Sequence, residues 1–227
     1  RVYIKGNSRD SLKHNPQDLD SALLESAALV DKSNDWHHLQ LGGRMDIQLE
    51  NDTSLTLSSD LYTSKMHQSS NVASMDSPQY RRFYFEEVES QGANLLSRYT
   101  KALSPTSEYA LQVYYDFAER NEDLYHLRTN TVDIDFQHQL IAGQDHNIVW
   151  GLGYRFISDN LTSMPILTST EPDSTKTHLW SAFVSDEIAL VDNALWLTLA
   201  SRFEHNDYTG FEVQPNLRLM WQIDTKN

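Results

Sequence analysis

The sequence predicts an all-β fold, an antiparallel meander of about ten long strands forming part of a transmembrane β-barrel. Three observations carry this expectation. Apolar and polar residues alternate with a period of two along most of the chain. Many alternating segments approach the roughly 9–11 residues that cross a bilayer when tilted, whereas strands of soluble sandwiches usually run about five or six. Connections between the segments alternate between tight and long, as they do on the two rims of an outer-membrane barrel.

The chain opens in mid-strand, at Arg1-Val2-Tyr3-Ile4, and the link Arg9–Asp35 follows. Within that link Leu19, Leu23, Leu24, Ala27 and Ala28 have a weak helical period, so a short loop helix is expected over Leu19 to Val30. From Trp36 onward Leu39, Leu41, Gly43, Met45, Ile47 and Leu49 share one face, and His38, Gln40, Gly42, Arg44, Asp46 and Gln48 share the other. Asn51-Asp52 then separates this run from Leu55, Leu57, Ser59 and Leu61, which is a tight hairpin signal. Alternation returns at Tyr109–Phe117, Val132–Phe136, Ile148–Phe156, Leu195–Phe203 and Val213–Trp221. Short links are expected at Glu50–Thr53, Ser104–Thr106, Ala142–His146 and Val191–Ala194. Long links are expected at Arg9–Asp35, Met66–Gln91, Arg120–Arg128 and Asp159–Thr175, with Asn206–Thr209 as a short exception.

Arg44, Asp46, Asp60, Arg98, Asp116, Asp133, Asp135, Arg155, Arg202, Glu204 and Arg218 all fall on the polar face, which would line a lumen. A self-contained soluble barrel or sandwich that binds a ligand is the alternative, because alternation alone does not identify the solvent. Trp36, Tyr62, Tyr99, Tyr115 and Trp221 lie near strand ends and suit interfacial girdles. The formal charge of −14 argues against a nucleic-acid partner. With no cysteine there is no disulfide framework, thiolate metal site or cysteine nucleophile. The open strand at Arg1 and the turn-like Asp224-Thr225-Lys226-Asn227 lead us to expect more chain on both sides.

Several stretches together resemble the barrel of TonB-dependent receptors. They are Asp35-Trp36-His37-His38 with Gly42-Gly43-Arg44-Met45-Asp46, then Asp52–Tyr62, Gly92–Tyr99, Gln112–Asp116, Asp133–His138, Trp150–Arg155, Phe183–Glu187 and Phe203–Pro215. The resemblance covers most of the chain from Asp35 and rests on the order and spacing of the motifs. It implies a barrel of about 22 strands closed by a plug domain. It further implies residence in the Gram-negative outer membrane, import of an iron–siderophore complex or similar scarce nutrient, and energy supplied by TonB through an N-terminal box. Neither plug nor box is among these residues. Residues 1–227 are therefore expected to be the N-terminal portion of the barrel, with the plug, the remaining strands, lipid, TonB and a siderophore-like ligand as partners of the parent. Open sheet edges and a broad apolar face predict that the piece alone self-associates.

Ligand contacts are expected at Tyr80, Arg81, Arg82 and Tyr84, in Tyr80-Arg81-Arg82-Phe83-Tyr84-Phe85-Glu86-Glu87. Aromatics interleaved with arginines suit an anionic, aromatic-rich ligand such as a ferric catecholate. The competing reading is a strand extended above the membrane with Arg–Glu pairing across it. No catalytic residue, metal site or cofactor is expected. His37 and His38 point to opposite faces, His138 and His146 flank a turn, and His205 with Glu204 and Asp207 reads as a hydrogen-bonded corner. Gly151 and Gly153 sit inside a strand with no helix following, so they make room for bulky neighbours and hold no phosphate. An outer-membrane hydrolase is a third reading, which a Ser or Asp within reach of a His in a cleft would support.

Overall fold

The computed structural model describes residues 1–10, 35–73, 75, 81–163 and 171–223. It is one sheet of ten antiparallel strands in sequence order: β1 (Val2–Arg9), β2 (Trp36–Glu50), β3 (Thr53–Ala73), β4 (Arg81–Ser104), β5 (Ser107–Asn121), β6 (Tyr125–Ala142), β7 (His146–Ser163), β8 (Ser174–Val191), β9 (Leu195–Asn206) and β10 (Gly210–Trp221). The expected strand number and meander are present, and β1 and β10 are the sheet's two open edges. The helix expected over Leu19–Val30 lies outside the described residues.

Two of the expected long links are strand instead. Most of Met66–Gln91 is the upper part of the β3–β4 hairpin, paired without slip from Thr53↔Lys101 to Ala73↔Arg81. Arg120–Arg128 shrinks to a turn in which the Glu122 amide donates to the Tyr125 carbonyl at 3.0 Å. The reason is that antiparallel pairing satisfies backbone groups wherever two segments face each other, whatever their side chains. Polar composition thus hid strand in these links. β2–β10 run 12 to 24 residues, longer than a bilayer alone requires.

The tight links are as expected. Register shifts occur at Gln48/Glu50, Ala102/Ser104 and Ala189/Val191, each beside a tight turn. Gly143 (φ 69°) and Asn193 (φ 58°) take the left-handed conformation in two such turns, which the missing Cβ of one and the short amide of the other tolerate.

The faces separate as the alternation requires. Cross-strand rows on one face read Ile4–Leu41–Leu61–Ala93–Phe117 and Leu111–Phe136–Leu152–Ala182–Phe203–Val213. Rows on the other read Asp46–Thr56–Arg98–Gln112–Asp135–Gly153–Ser181–Glu204. Among the described residues only Val88 and Ala110 are buried hydrophobics, while Leu152 is 55% exposed and Leu217 73%. Among the described residues there is no second layer for the apolar side chains to interdigitate with. The described strands thus form one open sheet and not the two packed sheets of a sandwich, which exists by burying such faces against each other.

The apolar face carries two aromatic belts. Tyr99, Tyr109, Phe136 and Trp150 form a ladder with centroids 6.1, 6.0 and 5.3 Å apart toward the tight turns. Tyr154 and Trp180 (4.2 Å) and Phe156 and His178 (5.0 Å) lie toward the other rim. Trp36 and Tyr62, expected in girdles, stand on the polar face instead: their rows are Trp36–Met66–Val88 and Gln40–Tyr62–Gly92. Strand-end position was the signal used for them, and it does not fix parity. On β5 the apolar stripe runs from Tyr109 to Phe117, about 27 Å along the strand and about 20 Å after a tilt near 40°, comparable with an apolar band of about 25 Å. Above it the same face turns abruptly charged, in the rows Thr63–Gln91–Glu119–Arg128 and Lys65–Glu89–Asn121–His126.

Candidate functional site

The polar face changes character toward the long-link rim. At mid-height it is laced with ions and hydroxyls: Arg155 Nε donates to Asp133 Oδ2 at 2.5 Å, and Tyr114 donates to Asp116 at 2.8 Å. Glycines let large side chains lie flat across this wall. A Cβ on Gly92 would come within 2.5 Å of the Tyr62 ring, and one on Gly151 within 2.5 Å of the Phe183 ring and of the Phe136 carbonyl. The expectation of room for a bulky neighbour is met at Gly151, whereas a Cβ on Gly153 would meet the Ser181 hydroxyl and the Asp135 carboxylate, neither of them bulky. At the rim, Trp36, Met66 and Val88 form an apolar row across three strands, with Val88 only 1% exposed.

Beyond that row β2 and β5 stop pairing with β3 and β4. His67–Ala73 and Arg81–Glu87 continue as a two-stranded ribbon of seven paired rows, about 23 Å long. A polar network sits at its base. Gln68 Nε2 donates to Glu86 Oε1 (2.8 Å) and to Glu122 Oε2 (3.1 Å), joining the ribbon to the β5–β6 turn. The Asp123 amide donates to Glu86 Oε2 at 2.7 Å, and Arg120 Nε to Glu122 Oε1 at 2.5 Å. Glu86 is 5% exposed, as is the Glu122 side chain. Burial pushes the Glu122 carboxyl up, but hydrogen bonds from Tyr125, Arg120 and Gln68 outweigh it and hold the group below the usual carboxylate range. The same contact, more than burial, raises Tyr125.

The opposite side of the ribbon base is ionic and exposed. Lys65 contacts Glu87 (2.9 Å) and Glu89, and His67 Nδ1 lies 3.0 Å from Asp35. Beside them Gln91, Arg128 and His126 converge on Glu119 and lower its carboxyl to about 2.

Of the predicted ligand residues, Arg81, Arg82 and Tyr84 stand on β4, opposite Ala73, Val72 and Ser70. Tyr80 lies outside the described residues. The structure thus puts three of the four on one ribbon. Gln68, Glu122 and Tyr125 were missed by the sequence reading, although extending the Ser54↔Thr100 register without slip already brings Gln68 opposite Glu86.

The histidines are structural in their contacts. His38 stacks on Tyr62 at 6.1 Å. At the β9–β10 corner the Asn206 carboxamide accepts from the Tyr208 and Thr209 amides, and Asp207 accepts from the His178 amide at 2.6 Å. Ser107 Oγ lies 2.8 Å from His138 Nε2, beside a shallow 320 Å³ cleft lined by Ser104, Ser107, Glu108 and Gln139. It does not make a nucleophile. The Trp150 indole, a donor only, points at His138 Nδ1 (3.2 Å), so Nε2 carries the proton and donates to the serine. A general base would need the opposite tautomer. Among the described residues no group of three or more acidic or histidine side chains is placed to hold a metal ion.

A family model described as "TonB dependent receptor-like, beta-barrel" matches residues 5–226. No curated protein matches the sequence. Among solved structures, the fold is similar to the siderophore receptor PirA from Pseudomonas aeruginosa (TM-score 0.64, 14% identity), over 83% of this chain and 31% of that one. It is also similar to the siderophore receptor PiuA from Acinetobacter baumannii (TM-score 0.63, 8% identity), over 96% of this chain and 41% of that one. A third likeness is to the ferric preacinetobactin receptor BauA from Acinetobacter baumannii (TM-score 0.52, 10% identity), over 82% and 36%. At these identities the likeness concerns the fold, and the chain spans between 31% and 41% of the length of these receptors.

Proposed function

This chain belongs to the TonB-dependent receptor β-barrel family, one of transport receptors and not of enzymes, and from that premise we propose that its parent imports an iron–siderophore complex, or a similarly scarce nutrient, across the Gram-negative outer membrane. In this reading residues 1–227 are the N-terminal portion of the barrel wall. The apolar face meets lipid, the polar face surrounds a plug domain, later strands close the sheet, and TonB supplies energy through a segment outside these residues. The observation that carries the reading is the single-layer sheet with one exposed apolar face, one charged face and two aromatic belts, a combination that only closure in a bilayer stabilises.

The rim at β3–β4 is the ligand side of this wall, with Tyr80, Arg81, Arg82 and Tyr84 contacting an anionic, aromatic ligand. Guanidinium groups supply charge and stack on catechol rings, and the apolar row Trp36–Met66–Val88 lies at the base of the ribbon on the lumenal face. In the full-length receptor, Arg81→Ala with Arg82→Ala is expected to weaken binding of a ferric tris-catechol complex by about tenfold or more, as loss of charge-assisted contacts does. Unchanged affinity in that double variant would remove the ligand assignment. Expressed alone, residues 1–227 are expected to self-associate through the β1 and β10 edges and the apolar face. Sedimentation as a monomer in detergent-free buffer would contradict this.

A further inference from the structure

We propose that Gln68, Glu86 and Glu122 form a clamp that fixes the direction of the β3–β4 ribbon, and so position the segment that carries Arg81, Arg82 and Tyr84 without touching ligand; this rests on the ligand reading given above. A two-stranded ribbon standing alone in water is marginal and swings about its base. This one has seven paired rows beyond the last row it shares with β2. Its base is held from the lumenal side by one amide, Gln68 Nε2, which bridges a carboxylate of β4 and one of the β5–β6 turn at 2.8 and 3.1 Å. The turn answers through its own backbone, the Asp123 amide donating to Glu86 at 2.7 Å. Arg120 and Tyr125 in turn hold Glu122. Each bond crosses from the ribbon to the neighbouring hairpin, or braces one that does. Both carboxylates are nearly out of solvent, so leaving either without its donor is costly, and the network favours one arrangement over a spread of them.

The burial also separates this clamp from the ionic side of the base. There Lys65 and His67 meet Glu87, Glu89 and Asp35 in the open, where such pairs contribute little rigidity. Among the described residues Gln68 is therefore the one side chain that bonds both carboxylates, and its loss should loosen the ribbon, leaving the Asp123–Glu86 bond across the base and the barrel wall below it intact.

The test uses the full-length receptor with spin labels at Met75→Cys, the fully exposed tip of the ribbon, and Tyr208→Cys, in the β9–β10 turn. This part of the receptor has no native cysteine to interfere. Distances are read by double electron–electron resonance, binding is measured with a ferric tris-catechol complex, and folding is checked by heat-modifiable migration. Expected are a narrow distribution in the parent, a broad or double one in Gln68→Leu, and about a tenfold loss of affinity in that variant. Glu122→Gln, which keeps size and shape, should broaden the distribution less. An unchanged distribution in folded Gln68→Leu overturns the clamp whatever binding does. A broadened distribution with intact affinity overturns the positioning role if Arg81→Ala with Arg82→Ala still weakens binding. If that double variant also binds normally, it is the ligand reading that has failed.

Discussion

Replacing Leu152 by arginine tests whether the apolar face meets hydrocarbon. Leu152 lies near the middle of the apolar stripe, between Phe136 and Ala182 in its row, and is 55% exposed. In a bilayer that exposed half is stabilised by transfer from water. Full burial of a leucine side chain is worth about 1.5–3 kcal/mol, so the lipid contributes about 1–1.5 kcal/mol here. An arginine at the mid-plane of a barrel's outer face costs about 2–4 kcal/mol more. Leu152→Arg should therefore destabilise the receptor by about 3–5 kcal/mol in phospholipid vesicles. The internal control is Asn216→Arg, on the polar face opposite Ala200 with no charge in its row partner. It should stay within about 0.5 kcal/mol. Both values come from equilibrium guanidinium unfolding of the vesicle-refolded receptor, followed by tryptophan fluorescence. Equal, small effects for the two variants would refute the assignment of solvents to the two faces.

Gly92→Val should destabilise the same receptor by about 1–3 kcal/mol, because its side chain must displace the Tyr62 ring; most of the loss should return in Gly92→Val with Tyr62→Ala, and an additive double variant would show that the ring does not lie across the glycine. Acid unfolding should report Glu119. Its folded carboxyl sits at about 2 against an ordinary 4.5, so its stabilisation is complete above about pH 4.5 and disappears as pH falls toward 2. Glu119→Gln should therefore flatten the acid limb of the stability–pH curve between those values, and a limb of unchanged slope would contradict the convergence of Gln91, Arg128 and His126 on this group.

Much of the wall was legible before any coordinates, because a period of two is a direct record of which side chains share a face. The pairs Leu41–Leu61 and Asp46–Thr56 follow from alternation plus the Asn51-Asp52 turn once the one-residue shift at Gln48/Glu50 is allowed for, whereas the register that brings Ala93 and Arg98 alongside comes from the structure. Legibility ended where composition stopped distinguishing strand from loop. Gln68–Ala73 reads as a polar link, and Arg81–Glu87, for which an extended strand is the competing reading, is too short and too charged for alternation to assign it. The Gln68–Glu86–Glu122 contacts were illegible for a related reason. They join residues 18 and 54 positions apart, and only the full register brings them together. Trp36 and Tyr62 failed differently: the girdle rule used their height in the wall, while their function depends on parity.

The strands are not of equal length, and the inequality has a direction. β3 and β4 have 21 and 24 residues, whereas β9 and β10 have 12 each and end in a three-residue corner. The difference of about ten residues amounts to roughly 30 Å measured along a strand. The rim of these ten strands is thus high at β3–β4 and cut down at β9–β10. Within these ten strands the sheet therefore presents a tall screen toward one end of its rim and a low sill at the other, although the wall beneath repeats a single motif.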